Sequence, residues 1–346
     1  MPELPPFVIR SVLGFVLGMA LGFAGRRGRF CTLGAIEDAV YANDTGRLRA
    51  WLLAIAVAVA GVHALEAFGG LELSRSIYTG PELLWGGAIV GGLMFGVGMA
   101  LAGTCGYGTL LRLGGGDLKA LVTFVVMALV AMMTMRGAIA PVRVWITEPL
   151  SLQLPSASQR LPVLLGFDRS GAMAAALIAA AALAAVAFAS ASFSRSFRNV
   201  ATGAAMGCLI VAGWWATGIA GFDLFETRRV ESFTFVAPLG ETVLYLMLSS
   251  GLYPDFPVGA VLGVIAGAFI ASKSADEFRW EAPDDAREMR RHVLGAFLMG
   301  SGGIAALGCT IGQGITGIST LSLGSLLALA SILVGARAGL YLMVER

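Results

Sequence analysis

Gly103-Thr104-Cys105-Gly106-Tyr107-Gly108 interrupts one apolar run of this chain, and Gly308-Cys309-Thr310-Ile311-Gly312-Gln313-Gly314 interrupts another. Each break follows a Gly/Ala-rich segment of membrane character and leads through more glycine into the next apolar run. Irregular backbone at membrane depth is tolerated only where it is buried in protein or lines a cavity. Two such breaks in corresponding places point to a substrate site at the centre of a transporter.

The rest of the sequence agrees with that class. The 346 residues are 57% hydrophobic and 13% charged, with mean hydropathy +0.80, which excludes an ordinary soluble domain. A net charge of +2, with no basic patch interleaved with aromatics, excludes a nucleic-acid partner. Forty-seven glycines suit helices that pack closely in lipid. The four cysteines form no C-x-x-C pair and the two histidines, His63 and His292, lie far apart, so neither a metal site nor a cofactor is expected. A phosphate-binding G-x-x-x-x-G-K-[ST] loop is lacking as well, which excludes an ATP-driven pump for this chain alone.

Apolar segments at 7–24, 48–68, 82–103, 118–135, 168–191, 199–221, 239–272, 293–308 and 322–344 predict an all-α polytopic membrane protein. It would have about nine transmembrane helices, most near the ~20 residues that cross a bilayer, plus re-entrant half-helices. The seventh is expected to be broken at Gly251-Leu252-Tyr253-Pro254-Asp255-Phe256-Pro257. Segment 136–167, with Pro149, Pro155 and Pro162, reads as an ordered loop or a partly re-entrant piece. Basic residues collect at 25–47, 192–198 and 273–292, so these are expected on the cytoplasmic side, with the N-terminus outside and the C-terminus (Glu345, Arg346) inside. The basic cluster follows the first apolar run instead of preceding it, so that helix is expected to be retained and not cleaved as a signal.

Spans 3 and 4 with the Cys105 loop correspond to spans 8 and 9 with the Cys309 loop, and Gly14-x-x-x-Gly18 corresponds to Gly203-x-x-x-Gly207. Spans 1–4 therefore pair with 6–9 in an inverted repeat. The chain is expected to be one transporter domain: repeat A at 1–135, a connector at 136–198 and repeat B at 199–346. The two cysteine loops then enter from opposite faces and meet near the midplane. Cys105 and Cys309, at glycine-flanked breaks, are the first candidates for a functional site. Cys31 joins them if its segment folds back into the membrane, whereas Cys208, inside a continuous apolar run, reads as a small buried hydrophobe.

Arg29-Phe30-Cys31, Ala102-Gly103-Thr104-Cys105-Gly106 and Gly308-Cys309-Thr310-Ile311-Gly312-Gln313-Gly314 together resemble the three cysteine motifs of the YeeE/YedE family, sulfur-transport membrane proteins that include bacterial thiosulfate importers. The resemblance covers essentially the whole chain. It implies an inverted-repeat transporter of the bacterial inner membrane that takes up thiosulfate. The substrate contacts it implies are Cys31, Cys105 and Cys309 with loop residues Gly106, Gly308, Gly312 and Gln313. A soluble sulfur-carrier protein of the TusA type accompanies some relatives, and it is the implied cytoplasmic partner. The same fold carrying another sulfur or selenium compound, or acting as a membrane thiol or persulfide sulfur-transfer enzyme, are the alternative readings. The chemistry favours transport: a thiol is a weak donor, able to hold a soft sulfur anion without trapping it, and conduction needs sites that release as readily as they bind. Half-helix N-termini add positive dipole ends for the oxygens.

Overall fold

The computed structural model describes residues 5–222, 229–283 and 285–344; Glu345, Arg346 and part of the 222–238 loop lie outside the described residues. In chain order the helices are α1 (Pro6–Gly28), α2 (Thr32–Tyr41), α3 (Gly46–Phe68), α4 (Gly92–Ala102), α5 (Gly106–Gly114), α6 (Leu118–Arg136), α7 (Ala140–Thr147) and α8 (Leu161–Leu164). There follow α9 (Arg169–Phe188), α10 (Ala191–Arg195), α11 (Phe197–Trp215), α12 (Ala237–Met247), α13 (Phe256–Ser274), α14 (Ala286–Ala305) and α15 (Leu323–Val344). Among the described residues, eight helical stretches are long and apolar enough to cross a membrane. The eighth expected span, 293–308, belongs to α14, whose first turns carry Arg287, Glu288, Arg290 and Arg291 and so fall short of a fully apolar crossing. The seventh is broken as expected, into α12 and α13.

Glycine decides which helices touch. Gly14, Gly18 and Gly22 of α1 lie against the main chain at Phe256, Ala260 and Val264, while Gly259, Gly263 and Gly267 of α13 lie against Ser11, Phe15 and Met19. A Cβ at any of these positions would collide with backbone. Lipid offers no hydrophobic drive between helices, so this close approach, with its dispersion and Cα–H contacts, is what holds the pair. The same device joins α11 to α3, where Gly203 and Gly207 meet Ala50 and Ala54, and joins α4 to α14, where Gly91 meets Gly302 and Gly98 meets Gly295. The pairings exchange between the two halves of the chain: α1 runs with α13 as α3 runs with α11, and α4 runs with α15 as α6 runs with α14.

Four half-length pieces complete the centre. Phe30 and Cys31 turn back after α1, with Phe30 stacked on Trp51 of α3 at 4.7 Å, and α2 follows. In the second half, the non-helical residues 229–236 precede α12. The other two pieces are α5 and residues 310–320, the latter built from a π-helical stretch (Gly312–Gly317) and a 3₁₀ turn (Ile318–Thr320). The 136–167 segment is an ordered loop. Its strand β2 (Leu152–Gln153) pairs antiparallel with β1 (Glu82–Leu83). Its Arg160 makes a bidentate pair with Glu66 of α3 at 2.6 Å on both arms, approaches His63 Nε2 at 3.2 Å and donates to the Thr320 carbonyl. Because His63 Nδ1 faces the Val59 carbonyl at 3.0 Å, both ring nitrogens are engaged within the core.

Two outcomes follow from these seams. Gly22→Leu should destabilise by about 3 kcal/mol through overpacking against backbone, lowering the melting temperature of the detergent-solubilised protein by several degrees. Val12→Leu, at a lipid-facing position of the same helix, should leave it unchanged. Arg160→Met should remove one partner of a buried pair and cost about 3–5 kcal/mol, read as earlier thermal unfolding and faster proteolysis within 136–168.

Candidate functional site

Each of the three motif cysteines caps a helix. Cys31 Sγ accepts from the Gly34 N–H at 3.5 Å, Cys105 Sγ from Gly108 at 3.4 Å and Cys309 Sγ from Gly312 at 3.4 Å. An N-terminus leaves its first N–H groups without carbonyl partners, and inside a membrane no water is at hand to satisfy them. The thiol does so here, in the manner of a serine or aspartate at an ordinary N-cap. Glycine three residues on is a spatial requirement: a Cβ would strike the Arg47 guanidinium at Gly34, the Thr104 hydroxyl at Gly108 and the Thr234 hydroxyl at Gly312. The shared pattern is C-x-x-G, and Cys208, followed by Val211, lacks it. That signal was available in the sequence.

The carbonyl ends of the preceding helices are closed by long polar side chains. Arg112 Nη2 donates to the Gly103 carbonyl at 2.7 Å, and Gln313 Nε2 to the Ala306 carbonyl at 2.5 Å. Gly103 itself adopts the left-handed conformation (φ 64°) that ends α4, which a β-carbon would strain. Gly106 has a different duty: its α-carbon lies against the Phe235 carbonyl, leaving no room for a side chain.

The three thiols occupy one region. Cys31 lies near Cys105, and Cys105 lies near Cys309. Cys105 and Cys309 are buried, Cys31 is half-buried, and all four cysteines are free thiols. The hydroxyls of Thr32 and Thr310 stand beside Cys105, and those of Thr234 and then Tyr78 stand beside Cys309. On one side, Cys31 forms part of the wall of a cavity of about 620 Å³ whose charged lining is Arg26, Arg29, Arg47, Arg112 and Arg279 together with the acids Glu37, Asp276, Glu277 and Glu281. On the other, beyond Tyr78, a pocket of only about 20 Å³ is walled by Gln159, Gln313, Ser322 and Ser325, room for about one water. The large cavity thus reaches Cys31, and the small pocket lies apart from it, beyond Tyr78. Sequence reasoning missed Thr32, Thr234, Tyr78 and Arg112. Of the expected loop residues, Gly308 lies in the break after α14, whereas Gly106 opens α5 and Gly312 and Gln313 open the π-helical stretch. Cys208 departs from expectation: it is exposed on α11, in an apolar groove with Val16, Phe23 and Ile270. Among the described residues no group of three or more His, Cys, Asp or Glu could hold a metal ion.

With this geometry in place, comparison with known proteins is decisive for the family. A family model described as sulphur transport matches residues 27–338. The chain belongs to the sulphur transport family. It is similar to the thiosulfate transporter TsuA of Escherichia coli (strain K12), 28% identical over 345 residues, covering 96% of this chain and 94% of that protein. It is also similar to the thiosulfate transporter TsuA of Spirochaeta thermophila, 27% identical over 337 residues, covering 93% of this chain and 96% of the relative. A shorter match, 28% identical over 102 residues and 29% of this chain, is to the probable transporter YedE of Escherichia coli, 23% of which is covered. Family and helices together make this a multi-pass membrane protein of sulfur transport.

The four cysteines should differ in access. A charged methanethiosulfonate reagent applied from the arginine-rich face should modify Cys31 within minutes, with Cys105 and Cys309 protected. Cys208 should react only with a lipid-soluble maleimide. Peptide mass spectrometry reads all four, and Cys105 or Cys309 reacting as fast as Cys31 would contradict their burial.

Proposed function

We propose that this protein takes up thiosulfate across the bacterial inner membrane, passing the ion along Cys309, Cys105 and Cys31 in turn. The observation that carries the reading is the set of three thiol-capped helix N-termini, joined to an arginine-lined cavity at one end. Similarity to two thiosulfate transporters supports the choice of ion. In this reading the arginine-rich face is cytoplasmic, the N-terminus is outside and the C-terminus inside. Residues 1–135 and 199–346 act as inverted repeats joined by the connector 136–198, which the exchanged helix pairings support.

The roles follow from chemistry. Thiols touch the polarizable terminal sulfur, weak donors that release as easily as they bind. Helix N-termini offer positive dipole ends to the sulfonate. Gly106, Gly308 and Gly312 let backbone approach the ion, and Gln313 holds the break open at its carbonyl end. No step forms or breaks a covalent bond, so the protein is a transporter and not an enzyme. Moving a dianion inward against about 100 mV costs roughly 4.6 kcal/mol. A steep inward gradient, kept up by cytoplasmic consumption, would offset it, with a TusA-type sulfur carrier receiving the ion at the arginine-lined mouth.

The test is growth on thiosulfate as sole sulfur source in a bacterium stripped of its other importers. The wild-type chain should rescue growth, Cys208→Ala should rescue it equally, and Cys105→Ala and Cys309→Ala at matched membrane levels should fail. A well-expressed wild type that does not rescue would move the assignment to another sulfur or selenium compound.

A further inference from the structure

Hydroxyls stand beside the sulfurs, and the thiols are weak partners for them. Thr32, Thr234 and Thr310 each have a buried Oγ1 with no hydrogen-bond partner of ordinary geometry, and the Thr32 and Thr310 side chains are 4% and 0% exposed. Other membrane-embedded threonines of this chain do not behave this way. Thr123, Thr134, Thr202 and Thr242 each donate to the carbonyl four residues earlier, the usual refuge of a hydroxyl in an apolar helix. Thr32 and Thr310 are denied it by position, because each is the first residue after a capping cysteine and has no helical carbonyl behind it. Thr234 lies outside any helix and has none either. A buried unpaired hydroxyl is costly, and three of them converge on two thiols.

We propose that Thr32, Thr310 and Thr234 form a second row of ligands along the thiol path, holding the oxygen end of a two-ended sulfur oxyanion while a cysteine thiol holds its terminal sulfur. The inference rests on the thiosulfate reading above and adds its basis of selectivity. A hydroxyl is a strong donor matched to a hard sulfonate oxygen, and a thiol is a weak, soft one. With the two kinds of group side by side at Cys105 and again at Cys309, thiosulfate finds both contacts at each stage. Sulfate lacks the soft end, and thiocyanate offers the hydroxyls one nitrogen in place of three oxygens, so each fits the two rows less fully. Such discrimination by polar groups that would otherwise stay unpaired is stronger than an apolar pocket can supply.

The experiment measures radiolabelled thiosulfate uptake into proteoliposomes holding the full chain, as wild type, Thr310→Val, Thr310→Ser and Thr234→Val, with thiocyanate as competitor. Valine keeps the shape and removes only the hydroxyl. Thr310→Val should raise KM for thiosulfate roughly five- to tenfold, the loss of one neutral hydrogen bond, with a smaller effect on inhibition by thiocyanate. Thr310→Ser should restore the wild-type KM, and Thr234→Val should repeat the effect. The inference is overturned by a valine KM equal to wild type, or by a loss for thiosulfate matched by an equal loss for thiocyanate, which marks a structural role. Should thiocyanate not compete at all, the valine KM and the serine rescue decide. A folded wild type that takes up no thiosulfate removes the underlying reading and this inference together, whereas wild-type uptake with an unaltered valine variant removes this inference alone.

Discussion

A helix that ends inside a bilayer exposes amide and carbonyl groups where no water can reach them. This protein contains several such ends, and meeting that constraint shapes its centre. The breaks after α4 and α14 are each closed from both sides. A long polar side chain, Arg112 or Gln313, takes the stranded carbonyl, and a thiol takes the stranded amide. Cys31 closes the start of α2 in the same way. The glycine seams between α1 and α13, α3 and α11, and α4 and α14 bring these closed ends together. Satisfying the backbone and building a row of sulfurs are one act.

Electrostatics then separates the two faces. Arginines and acids together line the large cavity, whereas the small pocket at the other end carries glutamine, serine and one acid, Glu82. Helix N-termini at Cys31, Cys105 and Cys309 add partial positive charge along the line between them.

Much of this was legible in the sequence because bilayer thickness imposes a length on every span. The long spans, the break within 239–272, and the helix interruptions at Cys105 and Cys309 all follow from apolar runs and glycine. What escaped is what arrives from elsewhere in the chain. Thr234 reaches Cys309 across some 75 residues from a stretch with no cysteine or glycine cue. Arg112 was readable as a charge at a helix end but not as the partner of the Gly103 carbonyl. α2 contains Glu37 and Asp38, so no hydropathy pattern marks it as a membrane piece, although C-x-x-G at its start matches the other two sites. Cys208 was misjudged because a continuous apolar helix does not reveal which of its faces meets lipid.

The two central half-helices share a plan but not a construction. α5 is regular α-helix from Gly106 to Gly114, whereas residues 310–320 pass from π to 3₁₀ geometry and end on Leu321 in the left-handed region. Wide and tight turns hold their hydrogen bonds at poorer angles than the α-helix, and a leucine with positive φ stores strain. Compliance is therefore unequal along the axis. The side that carries Cys105 is the stiff anvil of the centre, and the side that carries Cys309, next to the narrow pocket, is its spring.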